Sequence, residues 1–331
     1  RNNLAGAHES AGRLDQAIAL YEQTLADRLR ILGPDHPDTL TSRNNLASAH
    51  ESAGRLDQAI PLYEQNLTDR ERVLGPDHPS TLTSRNNLAG AHESAGRLDQ
   101  AIPLYEQTLT DSLRILGPDH PDTLTSRNNL ASAHESAGRL DQAIPLYEQT
   151  LTDSLRILGP DHPDTLTSRN NLASAHESAG RLDQAIPLYE QNLTDRERVL
   201  GPDHPDTLTF RNNLAGAHQA AGRLDQAIAL YEQNLTDRER VLGPDHPDTL
   251  TFRNNLAVAH RAAGRLDQAI ALYEQTLADS LRILGPDHPN TEIFRNNLAS
   301  AYQAAGRSED ATALFDPPPD SGAADADRPD E

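Results

Sequence analysis

The chain has 331 residues with 29 arginines, no lysine, 50 acidic residues and a formal charge of −21. Apolar residues make up 36% and aromatics 4%, with no Cys, Met or Trp, a content that suits thin layers between helices better than one deep core. These numbers exclude thiol nucleophiles, thiolate metal sites, disulfides and any phosphate-binding, Schiff-base or general-base lysine, and the acidic balance argues against nucleic acid and anionic membranes, which both need cationic contacts.

The first element is already part of a repeat. Arg-Asn-Asn-Leu-Ala begins at Arg1 and recurs at Arg43, Arg85, Arg127, Arg169, Arg211, Arg253 and Arg295, a step of 42 residues each time. Seven units are complete and the eighth is short. The first starts inside its first helix, and because position 1 is Arg rather than Met a longer parent chain is expected. The units from Arg85 and Arg127 differ only at Gly90 and Ser132, so each unit must work by contacting copies of itself.

Within a unit the spacing predicts two helices. The first runs from about Pro37, which suits the first helical position, to Ala53. Its stripe is Leu40, Leu46, Ala49 and Ala53, flanked by Ala47 and His50. Gly54 should end it in a left-handed turn, and an alanine there should cost about 1 kcal/mol per repeat. The second helix runs from about Asp57 to Leu74, with Leu56, Ala59, Ile60, Tyr63, Leu67 and Leu74 on its apolar face and Gly75-Pro76 stopping it. Pro61 near its start forfeits about one backbone bond. The short Gly-Arg-Leu turn allows only an antiparallel pair. Neither helix can bury its stripe within one pair, so the pairs must stack. The expected fold is all-α: an α-solenoid of antiparallel helix pairs over residues 1–315, with a disordered acidic tail over 316–331.

Arg43-x₂-Leu46-Ala47-x₂-His50 followed by Ala59-x₃-Tyr63 resembles the tetratricopeptide signature. Arg43 in the tryptophan place is the main departure: its stem should lie along the interface and its head should find an anion, with Asp57 and Glu64 as candidates. The 42-residue period and the Leu74-Gly75-Pro76-Asp77-His78-Pro79 turn resemble the kinesin-light-chain class of these repeats, which also occur in bacterial arrays behind NTPase or effector domains of the STAND type. The resemblance implies protein or peptide binding along a concave groove lined by the first helices, without catalysis; a cytoplasmic location is expected.

Repetition itself argues against an active site, which needs one constellation rather than seven. His8, His50, His92, His134, His176, His218 and His260 share a register with Tyr302, so a planar side chain packed on a neighbouring helix is expected and a metal site is not. His36 and its copies occupy the turn before a helix, in a capping role, with Asp35 and Asp38 beside them as caps. His8-Glu9 begins a zinc-protease pattern but Gly12 stands where the second histidine belongs, so that motif is rejected. The sequons at Asn66, Asn192 and Asn234 fall inside helices and are read as chance. No cofactor, metal ion or small-molecule substrate is expected, and no enzyme.

In the resembling family the peptide groove is lined by first-helix residues opposite the packing stripe. Here these are Asn44, Asn45, Ser48 and Glu51, then Asn86, Asn87 and Glu93, then Asn128, Asn129 and Glu135. Asn170, Asn171 and Glu177 follow, then Asn212 with Gln219, and Asn254 with Arg261. An asparagine ladder both donates and accepts, and so can hold a peptide backbone of any sequence; bracing of the neighbouring helix by one asparagine of each pair is the alternative. Glu9, Glu51, Glu93, Glu135 and Glu177 give way to Gln219, Arg261 and Gln303, so the groove should be acidic over the first five units, and a basic segment of the ligand should lie there. Ser42, Ser84, Ser126 and Ser168 give way to Phe210, Phe252 and Phe294, expected to fill the core and make that end the more stable.

Overall fold

A glycine at positive φ closes each hairpin. Gly54 has φ +70°; its N–H donates to the Glu51 carbonyl and that of Arg55 to the His50 carbonyl, both at 2.8 Å. That pair of bonds is the Schellman closure, and the left-handed residue it needs explains the recurring glycine. Gly75, with φ +89°, ends the second helix of the unit.

The computed structural model describes residues 2–315, so the tail expected over 316–331 lies outside the described residues. They form helices only and divide into two compact units, Arg1–Arg181 and Leu182–Glu331. In the first unit these are α1 (Asn2–Ser10), α2 (Leu14–Leu32), α3 (Pro37–Ser52), α4 (Leu56–Leu74), α5 (Pro79–Ser94), α6 (Leu98–Ile115), α7 (Pro121–Ser136), α8 (Leu140–Ile157) and α9 (Pro163–Ser178). The second unit holds α10 (Leu182–Leu200), α11 (Pro205–Ala220), α12 (Leu224–Leu242), α13 (Pro247–Ala262), α14 (Leu266–Ile283), α15 (Pro289–Ala304) and the short α16 (Ser308–Ala313). The odd-numbered helices are the predicted first helices, and α4 runs through the exposed Pro61 without ending.

Within each unit every helix packs on the next, and a core cluster of the inner repeats draws on three of them. Ala47 of α3, Ala59, Ile60, Tyr63 and Leu67 of α4, and Leu88 and Ala91 of α5 form one such cluster. Ala215, Ala227, Ile228, Tyr231, Leu235, Leu256 and Ala259 repeat it in the second unit. A hairpin alone would leave one side of Tyr63 in water, and stacking is what buries it. Leu56 and Leu74, predicted on the apolar face, are only half-buried at the ends of their helix.

The N-terminal cap of each odd-numbered helix from α3 to α15 is a histidine. The Nδ1 of His36 accepts from the Asp38 N–H at 3.1 Å, and His78, His120, His162, His204, His246 and His288 do the same. Asp35, expected to cap, does not. Its carboxylate takes both Nη groups of Arg72, the Nη1 bond being 2.9 Å, and this hydrogen bonding holds the Asp35 carboxyl below its usual range. The imidazole already satisfies the helix end, which frees Asp35 to tie its turn to the following hairpin.

Arg43 is buried as expected, but its partner is neither Asp57 nor Glu64. Its Nη1 donates to Asp69 Oδ2 at 2.6 Å, and Arg127 does the same to Asp153 at 2.8 Å. In an antiparallel pair the early part of the first helix lies against the late part of the second. Asp57, just past the turn, is therefore at the wrong end. Arg72 shares Asp69 at 3.2 Å, so one carboxylate joins a buried and an exposed guanidinium.

The histidines of the other set pack as planar groups. His50, His92, His134, His218 and His260 are buried, and burial pushes their pKa values below the usual 6.5. Tyr302 in the same register donates to Glu274 at 2.6 Å. Asn66, Asn192 and Asn234 of the sequons are fully buried, which suits their reading as chance.

Candidate functional site on the odd-numbered helices

The predicted groove residues fall on one face of the odd-numbered helices and are half-buried, apart from the buried Asn254. Many are tied to one another across helices. Asn87 Nδ2 donates to Asn44 Oδ1 at 3.0 Å, Asn129 to Asn86 at 3.1 Å and Asn171 to Asn128 at 2.9 Å. In the second unit Asn255 donates to Asn212 at 3.2 Å and Asn297 to Asn254 at 2.9 Å. The second asparagine of one repeat thus braces the first of the repeat before. Each bond uses one polar atom per side chain, so the Asn44 amide donors and the Asn87 carbonyl keep their remaining bonding capacity.

The glutamates form a parallel ladder. Glu51 accepts from Tyr63 of its own hairpin at 2.9 Å and from Ser94 of the next first helix at 3.3 Å. Glu93 accepts from Tyr105 at 3.1 Å and from Ser132 and Ser136 at 3.2 and 3.1 Å. Glu135 repeats this with Tyr147 and Ser178, at 3.0 and 3.3 Å. Burial, reinforced by the adjacent carboxylate, pushes the Tyr63, Tyr105 and Tyr147 hydroxyls above their ordinary range. Ser48 and Ser132 sit beside these phenols as further bonding partners, while Asn45, Asn170, Glu177 and Gln219 are half-buried at their own positions of the repeat.

Arg261 changes the pattern. It donates to Ser300 Oγ at 2.7 Å, and the hydroxyl of the fully buried Tyr273 below it has no partner. Burial pushes that hydroxyl up to about 12, against the opposing effect of the Arg261 charge.

The phenylalanines correct an expectation. Phe294 is buried at 2% exposure and belongs to the core around α14 and α15. Phe210 and Phe252 are only half-buried. Their rings lie under the guanidinium groups of Arg196 and Arg238, 3.6 and 3.5 Å from the ring centroids. The space that would have drawn those rings inward holds an arginine stem instead, and in the last full repeat Ser280 leaves it to Phe294.

Between successive odd-numbered helices the surface carries two pockets of which the groove prediction named only Asn86 and Asn128. One of about 120 Å³ involves Thr83, Asn86, Ser112, Asp122, Thr125 and Ser126. Its neighbour of about 110 Å³ involves Thr125, Asn128, Ser154, Asp164, Thr167 and Ser168. Their signal in the sequence is an alternation, at one register of the second helix, between arginine and serine. Among the described residues no group of three metal-ligating side chains comes together, and no helix is long and apolar enough to cross a membrane.

Stacked helical hairpins that present a repeated polar face define a helical-repeat interaction scaffold. The chain belongs to the tetratricopeptide repeat family, whose profile matches residues 1–68, 44–112, 87–154, 137–194, 170–233, 206–281 and 252–316. Proteins of this family are typically non-enzymatic and in general bind proteins or peptides. A crystal structure described as a putative kinesin light chain with nearly identical TPR-like repeats, from Podospora anserina, is 31% identical, with a TM-score of 0.54 over 60% of this chain and 93% of that one. BtubC (BKLC) from P. vanneervenii is 23% identical, with a TM-score of 0.61 over 71% of this chain and 94% of that one. A STAND signal-transduction ATPase with a tetratricopeptide repeat sensor, from Pyrococcus horikoshii, shares the fold at 13% identity, with a TM-score of 0.65 over 95% of this chain and 45% of that one. Comparison of the sequence with curated proteins finds no match.

Proposed function

We propose that the chain binds a protein or peptide ligand along the face of its odd-numbered helices, with a basic segment of that ligand over the glutamate ladder. The observation that carries this is the half-buried row of Glu9, Glu51, Glu93 and Glu135, each fixed by a tyrosine of its own hairpin and a serine of the next repeat. Carboxylates held in this way lose little freedom when a cation arrives. The asparagine ladder beside them supplies donors and acceptors for the ligand backbone. The array spans residues 1–315 as one scaffold in this reading, and it works in the bacterial cytoplasm without catalytic residues of its own.

Selection of peptides on the parent chain, followed by titration against an E93Q/E135Q variant, tests the reading. Selected peptides should be basic, bind more weakly as salt is raised, and lose affinity for the variant. Peptides that bind parent and variant equally would refute it. A second reading, the sensor arm of a larger NTPase or effector protein, draws on the fold shared with the STAND ATPase. A phosphate-binding loop in the sequence preceding Arg1 of the parent gene product would favour it.

A further inference from the structure

One register of the second helix reads Arg28, Arg70, Ser112, Ser154, Arg196, Arg238 and Ser280 along the chain. Where it is arginine, the guanidinium lies against the first helix that follows it, and that of Arg238 spans the trough between two successive first helices. Arg28 Nη1 donates to the Asp38 carbonyl and to Ser42 Oγ, both at 2.7 Å. Arg70 Nη1 donates to the Ser80 carbonyl at 2.6 Å. Arg238 Nη2 reaches the opposite wall, at Thr209 Oγ1, at 3.4 Å. The Arg196 and Arg238 heads also approach the Asp206 and Asp248 carboxylates, at 3.7 and 4.0 Å.

Ser112 and Ser154 are too short to fill this trough, and the two pockets open there. Each pocket keeps the acceptors that hold an arginine elsewhere. The Asp122 and Asp164 carbonyls correspond to that of Asp38, and both now accept from a serine, Ser126 or Ser168, at 2.8 Å. Those serines correspond to Ser42, and Thr125 corresponds to Thr209. The Asp122 and Asp164 carboxylates stand at the mouths, their side chains 66% and 72% exposed.

We propose that the two pockets receive arginine side chains of the partner, which take in trans the place that Arg28, Arg70, Arg196 and Arg238 take within the chain. This deepens the reading of a basic ligand and rests on it. The acceptors lie on both walls and suit a flat, forked guanidinium better than the compact ammonium of lysine. The pockets share Thr125 and are one repeat apart, a separation of roughly 10 Å between adjacent helices. An extended peptide covers that in about three residues, so two arginines separated by two other residues fit both pockets at once.

The test uses the full chain and a fluorescein-labelled peptide of three Arg-Gly-Ser units, with its Lys-Gly-Ser counterpart, followed by anisotropy. S112R/S154R closes both pockets with an arrangement the chain already tolerates at Arg70 and Ser84, and S112L/S154L closes them without added charge. The parent should prefer the arginine peptide by roughly tenfold or more, and both closed variants should lose that preference. Equal affinity for the two peptides, a preference that survives closure, or no binding of either peptide overturns the pockets. A parent that self-associates until S112L/S154L is introduced overturns the partner as occupant in favour of a second copy. E93Q/E135Q separates the two ideas: if it weakens both peptides equally while closure changes nothing, the acidic face stands and the pockets fall. Loss of the arginine preference on closure with no effect of E93Q/E135Q supports the pockets and removes the glutamate ladder.

Discussion

In the first unit Glu51, Glu93 and Glu135 each accept a bond from a buried tyrosine; in the second unit Arg261 holds that register and leaves the Tyr273 hydroxyl without a partner. The trough between first helices differs as well. It is open at Ser112 and Ser154 in the first unit, and covered by arginine stacked on phenylalanine at Phe210 and Phe252 in the second. The same backbone therefore carries an open, acidic stretch around α5–α9 in the first unit and a closed, locally cationic one beside Phe252 in the second. Recognition and packing compete for the same few positions.

A large effect should come from a feature the units share. Arg127→Leu takes the buried partner from the Asp153 carboxylate, 9% exposed, and leaves it Gln149 at 3.0 Å and the exposed Arg156 at 3.2 Å. Losing that charge-assisted bond while two partners remain should cost about 1.5–3 kcal/mol, read as a lower denaturant midpoint and as faster amide exchange in α7 and α8. A loss under 1 kcal/mol would mean that solvent reaches the carboxylate.

Next come two tyrosines whose responses should differ in sign. Tyr147→Phe removes a bond to Glu135 and should cost about 0.5–1.5 kcal/mol. Tyr273→Phe removes a buried hydroxyl that bonds nothing and should be neutral or stabilising by up to about 1 kcal/mol. Arg261→Glu should then abolish the benefit of Tyr273→Phe, because it restores the acceptor. Equal losses at Tyr147 and Tyr273 would erase the contrast between the units.

Phe210→Ala should cost about 0.5–1 kcal/mol through the lost guanidinium stacking, whereas Phe294→Ala, in the core, should cost about 3–5 kcal/mol. Thermal melts of the two variants order them. The smallest effect per site is that of acid. The buried histidines have folded pKa values below their ordinary 6.5, so below that pH the unfolded chain takes up protons that the folded chain refuses. Stability should thus fall as the pH drops from 6.5 toward 5, above the range where the carboxylates titrate. His92→Tyr, following the Tyr302 register, should flatten that slope.

Self-similarity made the fold readable. Pro37, Gly54 and Gly75 punctuate each unit, and the apolar spacing between them admits one arrangement of helices. The partner of Arg43 was not readable, because it depends on how far the second helix slides along the first, and local spacing does not encode that offset. Phe210 was misplaced for a related reason: its position is decided by Arg196, fourteen residues earlier in sequence but directly over its ring in space. The pockets were hidden in the same way. They follow from pairs of positions, Ser112 with Ser126 and Ser154 with Ser168, rather than from any single residue.

The bonds within and between repeats in the first unit span fixed separations: 26 residues for Arg43 to Asp69, 37 for Asp35 to Arg72, and 43 for Asn44 to Asn87. Removing or inserting 42 residues between equivalent points regenerates each of those bonds from an equivalent pair. Unequal crossing-over can therefore shorten or lengthen the protein without a misfit at the splice, and can multiply or delete a chosen side-chain combination as a single cassette.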